Sequence, residues 1–205
     1  MTVSATYAGS GRLLGQISTL QKGDLYMPGA ALYVDKAIEK GLADADTRRD
    51  VAYFVPVIMV QENNPHAIAS LRDLTASDVR IGIGDERACA VGRNTLKILE
   101  KNKIAYADLE KNIVYKSGTV NELGLAIELE NVDAVILWDA NARQFADHGT
   151  IVPIPAEKNI PSAISIVRLK SSKLAEQALA FIKFAISDQG RKILESKSYT
   201  TKPPE

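Results

Sequence analysis

Tyr7-Ala8-Gly9-Ser10-Gly11-Arg12-Leu13-Leu14-Gly15-Gln16-Ile17 decides how the remainder of the chain is read. Before it, Thr2 to Tyr7 alternates β-formers and predicts a strand. After it, Leu13, Leu14, Ile17 and Leu20 fall at helical spacing, so Ser10 stands where an N-cap belongs. A strand turning through Gly-Ser-Gly into a helix leaves several amide N–H groups unpaired beside one hydroxyl. The positive end of the helix dipole adds to them, which makes the turn a seat for an anion. Two readings stay open: Ser10 caps its own helix, as serine commonly does, or Gly9, Ser10 and Gly11 hold a ligand.

Working outward, Asp24 to Met27 reads as a short strand ended by Pro28-Gly29, and a helix over Ala31 to Lys40 closes at Gly41. Val51 to Val60 is one long apolar β run interrupted by Pro56, which removes a ladder hydrogen bond and forces a bend or an edge. Such a kinked strand is what a chain passing between two lobes looks like. Beyond it, Ser70 to Leu74 is a helical turn, and a regular alternation begins. Strands are expected at Val79 to Gly84, Asn112 to Tyr115, Val132 to Leu137 and Ile151 to Ile154. Helices are expected at Ala90 to Asn102, Val120 to Leu129 and, as a single turn, Asn141 to Phe145. Alternation of this kind implies βαβ units and a largely parallel sheet covered on both faces. Pro153, Pro155 and Pro161 mark a return crossing into a strand over Ala163 to Val167, followed by helices over Ser172 to Ile186 and Ser187 to Glu195. The tail from Thr200 to Glu205 is expected to be mobile. The chain is thus discontinuous: residues 1–57 with 160–205 form one lobe and 58–159 the other.

The 205 residues balance 25 basic against 25 acidic side chains, so nothing in the charge calls for nucleic acid or an anionic membrane. No apolar run reaches the roughly 20 residues of a membrane span, and the first residues lack the basic and apolar regions of a signal peptide. The lone Cys89 excludes an internal disulfide, and His66 and His148 have no partners at metal spacing, so neither metal nor other cofactor is expected.

In an open parallel sheet, ligands gather beyond the carboxyl ends of strands. Gly9-Ser10-Gly11 is one such end. Gly84 to Arg93 is another, where Ala90, Val91 and Gly92 let backbone approach closely at a helix start, and Arg87 and Arg93 either face solvent or lend positive charge. At Ser117 to Leu123, Thr119 and Glu122 have capping-box spacing, so Glu122 either caps its helix or faces a ligand beside Asn121. Trp138, at the end of its strand, either packs or offers its indole N–H. Cys89 has no nearby histidine, and no triad, carboxylate pair or phosphate loop is present, so no enzyme is indicated.

The Gly-Ser-Gly-x-Leu-x-x-Gln-Ile start, the Gly-Asp turn leading to Ala-Val-Gly-Arg, the Thr-Val-Asn-Glu-Leu start and Asp-Ala-Val-Ile-Leu-Trp-Asp occur in that order. Together they resemble the molybdate/tungstate-binding proteins, extracytoplasmic solute receptors of ABC transporters, over Val3 to about Tyr199. The resemblance implies a two-lobed α/β periplasmic-binding-protein fold, each lobe a mostly parallel sheet flanked by helices, closing on a small oxyanion. It implies a membrane permease as partner and a periplasmic or extracellular location. In the family the anion is held by hydroxyls and helix-start amides. That role passes here to Ser10, to Val91 beside Gly92, to the Glu122 amide, and to Trp138 where many members place a tyrosine.

Three departures from the family pattern bear on the site. The family's first strand, serine-bearing turn and helix precede Val3 and are absent, which invites strand exchange between two copies. Trp138 replaces a hydroxyl with an indole N–H. Glu122 brings a carboxylate near the anion; at 4 Å and an effective dielectric of 20 the repulsion is roughly 4 kcal/mol per unit pair, more than the about 1.5–3 kcal/mol of a charged hydrogen bond. An alternative function for the same fold is a ligand-sensing domain of a regulatory or signalling protein.

Overall fold

A computed structural model describes residues 2–204. The chain opens with α1 (Ser10–Leu20), β1 (Leu25–Tyr26), α2 (Ala31–Glu39) and β2 (Arg49–Phe54). It continues through β3 (Pro56–Gln61), β4 (Ile81–Gly84), α3 (Ala90–Lys101), α4 (Tyr106–Glu110), β5 (Ile113–Ser117), α5 (Val120–Glu128), β6 (Ala134–Trp138), α6 (Asp139–Ala142) and β7 (Gly149–Pro153). It returns through β8 (Ser162–Arg168) to α7 (Ala175–Ala185) and α8 (Asp188–Ser196). The elements follow the hydrophobic periods closely. At the end of α2, Gly41 (φ +71°) accepts the left-handed turn, while its amide donates to Ile38 O and that of Leu42 to Ala37 O. The short α4 has no counterpart among the expected elements, because one turn and a half carries too few apolar positions to show a period.

The apolar run read as a single kinked strand is two strands in two sheets. Pro56, without an N–H, is the first residue of β3, and Val55 joins it to β2. β2 lies in a three-stranded sheet of order β1–β8–β2, and β3 in a five-stranded sheet of order β5–β4–β6–β3–β7. In the larger sheet β4 pairs parallel with β5 and β6, and β3 pairs antiparallel with β6 and β7. Pro56 faces Trp138 and Val57 faces Pro153, so β3 starts where β6 and β7 end. Four strands therefore run toward the junction of the sheets and only β3 runs away from it.

The smaller sheet departs from the parallel expectation: β8 lies between β1 and β2 and is antiparallel to both. The cause is the connectivity. β8 is the returning strand, so it leaves the junction beside strands that run toward it, with Phe54 opposite Ser162. Thr2 to Tyr7, expected as a strand, is irregular and exposed in the described residues, because its alternating β-formers have no strand alongside to complete a ladder. Thr200, expected in a mobile tail, instead accepts a bond from the amide of Tyr53 on β2 (2.7 Å); Glu205 lies outside the described residues.

Alternation on β3 and β6 divides the core. Val57, Met59, Val135 and Leu137 join one cluster with Leu123 and Ile127 of α5, continuous with Leu14, Tyr26, Val34 and Ile166 around the smaller sheet. Ile58, Val60, Ala134 and Ile136 point the other way, onto Ile98 and Leu99 of α3 and Leu109 of α4. The larger sheet is thus apolar on both faces, as covered parallel strands require.

Candidate functional site

Three helices begin at the junction. The amide of Gly11, in the first turn of α1, donates to Ala88 O just before α3 (3.1 Å). A Cβ added at Gly9 would lie 2.5 Å from Ala88 O and closer still to Gly118 O, just before α5. At Gly11 a Cβ would run into the carbonyl of Arg87. Glycine is needed at both positions for close approach, since Gly9 has an ordinary backbone (φ −57°). A fourth contact of this kind fixes α3 itself, where a Cβ on Gly92 would collide with Gly84 O at the end of β4. The starts of α1, α3 and α5 are thereby in direct backbone contact, although they lie about 30 to 110 residues apart in the chain.

None of these starts is capped by a side chain, nor is that of α2, whereas the remote α8 is capped by Ser187 Oγ, which accepts from Gly190 N (3.2 Å). The first turns of α1, α2 and α3 hold no acidic residue, so their amides and dipoles are not neutralised from within. Ser10 is not the N-cap expected from its spacing: Gly9 occupies that position and Ser10 is the first helical residue. Its hydroxyl is turned toward the start of α2, where Oγ accepts from Gly29 N (3.1 Å), and it donates to no acceptor among the described residues. An oxygen fixed by an accepted bond has its proton left for a ligand. Tyr26 OH donates to Ser10 O (2.8 Å); burial, with a smaller contribution from Tyr33, raises its pKa well above the ordinary tyrosine value, so it stays a donor.

The capping box expected at Thr119 and Glu122 is not formed. Ser117 competes for both partners: its Oγ accepts from the Thr119 amide (3.0 Å), and its one proton is shared between Thr119 O (2.5 Å) and Glu122 Oε2 (2.6 Å). The Glu122 carboxylate is exposed and bound by a hydroxyl, not by its own helix amides. Asn121, also exposed, accepts through Oδ1 from Asn141 Nδ2 (3.3 Å). Ala90 and Val91 are buried, with only their backbone at the helix start. Burial pushes the Cys89 thiol pKa up against the pull of the Val91 and Gly92 amides, and Glu122 and Asp85 add to the rise; the thiol stays protonated.

Trp138 packs, as one of its two readings held. It is 2% exposed and stacks on Phe54 at 5.0 Å and 7°. Tyr199 is tilted against the same Phe54 ring (5.5 Å, 43°). The indole N–H donates to no acceptor among the described residues, yet it is not among the sealed groups without partners, which are Tyr33 OH, Arg93 Nε, Asn141 Oδ1 and Arg168 Nε. Asp139 follows at the crossing: its amide donates to Val55 O (2.8 Å) and its Oδ1 accepts from Val55 N (3.0 Å). Burial raises its pKa above the ordinary carboxylate value despite those bonds.

Sequence reasoning missed Gly29, Phe54 and Asp139. Gly29 ends a strand in a Pro-Gly turn, and the strand-end rule applied to it would have added a fifth candidate. Phe54 and Asp139 find their partners across the chain and leave no local signal.

The fold is that of known periplasmic binding proteins. The periplasmic molybdate-binding protein of Azotobacter vinelandii superposes with a TM-score of 0.84 at 17% identity, over 100% of this chain and 89% of that one. The periplasmic binding protein AfuA of Actinobacillus pleuropneumoniae, solved with fructose-6-phosphate, gives 0.85 at 16% identity, over 97% and 76%. This bears out the two-lobed α/β expectation. In sequence, a Haemophilus influenzae protein described as a binding protein is 30% identical over 198 residues, 96% of this chain and 79% of its own length. Residues 1–200 match the model of a family of bacterial extracellular solute-binding proteins. The chain belongs to the bacterial extracellular solute-binding protein family.

Proposed function

We propose that this solute-binding protein is the extracytoplasmic receptor of an ABC transporter and closes on a small oxyanion of the molybdate or tungstate kind. The lobes are 1–57 with 160–205 and 58–159, and the β2–β3 and β7–β8 crossings between them form the hinge. The observation that supports this reading best is the meeting of the uncapped starts of α1, α3 and α5, with the Ser10 hydroxyl held beside them by Gly29. Amides of Ser10, Ala90, Val91, Gly92, Asn121 and Glu122 compose the anion seat beside Gly9 and Gly11, and Trp138 adds an indole N–H from the hinge. Donors fixed before binding cost little to reorganise. The Glu122 carboxylate, engaged by Ser117, is held away from its helix amides, which leaves them to the ligand. A permease in the membrane receives the ligand when the lobes reopen.

A thermal-shift panel of molybdate, tungstate, sulfate and thiosulfate tests it. A ligand at 100 times its Kd adds about 2.7 kcal/mol, which for a chain of this size raises Tm by roughly 5–10 °C. Ser10→Ala, which removes a donor and orphans the Gly29 amide, is expected to cut that shift by more than half. No shift with any of the four refutes the reading.

A further inference from the structure

Beside the amide seat lies a cavity of about 190 Å³, lined by Ala30 to Tyr33 at the start of α2, by Ala90, Arg93, Asn94 and Lys97 of α3, and by Ile160 to Ala163 of the return crossing. It adjoins the seat directly, since a Cβ on Gly29 would lie 3.6 Å from Ala90 Cβ and 3.7 Å from Ser10 Oγ. None of the residues lining it is acidic. Asn94 is committed to Ile160 O (2.7 Å) and clips the crossing to α3. Arg93 and Lys97 are not: neither has an ion-pair partner among the described residues, and Arg93 Nε is sealed with nothing to donate to. Tyr33, 2% exposed, has an equally orphaned hydroxyl. Like charges four apart on one helix face repel each other, so the pair is a cost to the empty protein.

We infer that the site extends past the oxyanion seat and also takes an organic molecule with two anionic groups, one in the amide seat and the other against Arg93 and Lys97. The inference rests on the anion seat proposed above and adds a second subsite to it. Long side chains on a helix lean toward its N-terminus, so both basic groups reach back toward the α3 start, where the first anion is held. Ala90 and Arg93 are three residues apart, about 4.5 Å along the axis, a span that suits a three-carbon skeleton. The uncapped first turn of α2 adds its amides from the opposite wall. A bare tetrahedral oxyanion fills the seat and leaves half-buried Arg93 and exposed Lys97 without an ion pair, whereas a phosphorylated carboxylic acid engages the seat and both cations.

The test compares binding of orthophosphate and 3-phosphoglycerate by calorimetry in the native protein, in Arg93→Met/Lys97→Met and in Ser10→Ala, with melting curves to show that each variant is folded. The native protein is expected to bind 3-phosphoglycerate at least tenfold more tightly than orthophosphate. In the double methionine variant the two affinities should converge to within threefold, and Arg93→Lys should keep part of the preference. Ser10→Ala should weaken both ligands together. Equal affinities in the native protein, or a preference that survives the double substitution, overturn the two-anion ligand while the seat stands. Absence of binding by either ligand and by molybdate overturns the seat and the inference with it.

Discussion

Gly9→Ala separates closure from folding because the two effects have opposite signs. The backbone at Gly9 (φ −57°, ψ 142°) suits alanine, so the substitution introduces no strain within α1. Through the unfolded state it is worth about 0.4–1 kcal/mol of added stability. Across the junction the new Cβ would lie 2.5 Å from Ala88 O, and side-chain carbons do not approach within 3.0 Å, so the α1 start must retreat by at least 0.5 Å. The Gly11 amide, 3.1 Å from the same carbonyl, would move out to a distance where no hydrogen bond remains. One lost bond costs about 0.5–1.5 kcal/mol, and lost packing against Gly118 adds to it, which gives about 1–2 kcal/mol against the closed state. The expected outcome is an anion affinity five- to thirtyfold weaker by calorimetry, with the ligand-free Tm unchanged or slightly raised. Unchanged affinity would refute the closed contact as part of binding. A ligand-free Tm lowered by several degrees would show instead that the contact is permanent scaffolding.

Three further outcomes are expected. Glu122→Gln removes a carboxylate near the seat; because that side chain is exposed, the gain is nearer the roughly 1 kcal/mol of a water-like dielectric, and anion affinity should rise about fivefold, less as salt is added. Asp133 is buried, which alone raises its pKa, but its bonds from Arg80 N and Nη2 (2.7 Å each) outweigh burial and hold it below the ordinary value. A carboxyl depressed in the folded state contributes stability above its unfolded pKa near 3.9 and loses it as pH falls through the folded value. Asp133→Asn should therefore cost about 1–3 kcal/mol at neutral pH and flatten the acid side of a urea-midpoint profile. The single tryptophan, Trp138, is stacked at the crossing, so its fluorescence should change as anion is added and be silent in Trp138→Phe.

Much of the fold was legible because its decisive features are local. Pro56 has no N–H to give a ladder, so a break in the apolar run was legible, though not its division into strands of two sheets, and Gly41 and Gly92 sit where helices need a residue without a Cβ. The convergence of helix starts was legible as a rule about strand ends. What was not legible depends on partners far along the chain. Ser10 has an N-cap's spacing, yet its hydroxyl is drawn off by Gly29, 19 residues away. Glu122 has a capping box's spacing, yet Ser117 takes its carboxylate. Thr2 to Tyr7 has a strand's composition without a neighbour to pair with, and β8 is antiparallel to both its neighbours because of the path the chain takes between sheets. Local pattern states what a segment is able to form, and the tertiary neighbour selects among those forms.

The most direct measurement is an amide-resolved NMR titration with molybdate and, in parallel, with 3-phosphoglycerate. Hydrogen bonds from helix-start amides to an anion predict the largest downfield proton shifts at Ser10, Ala90, Val91, Gly92, Asn121 and Glu122, all saturating with one affinity. Shifts confined to other surfaces, or helix-start amides that do not move while ligand binds, would contradict the account.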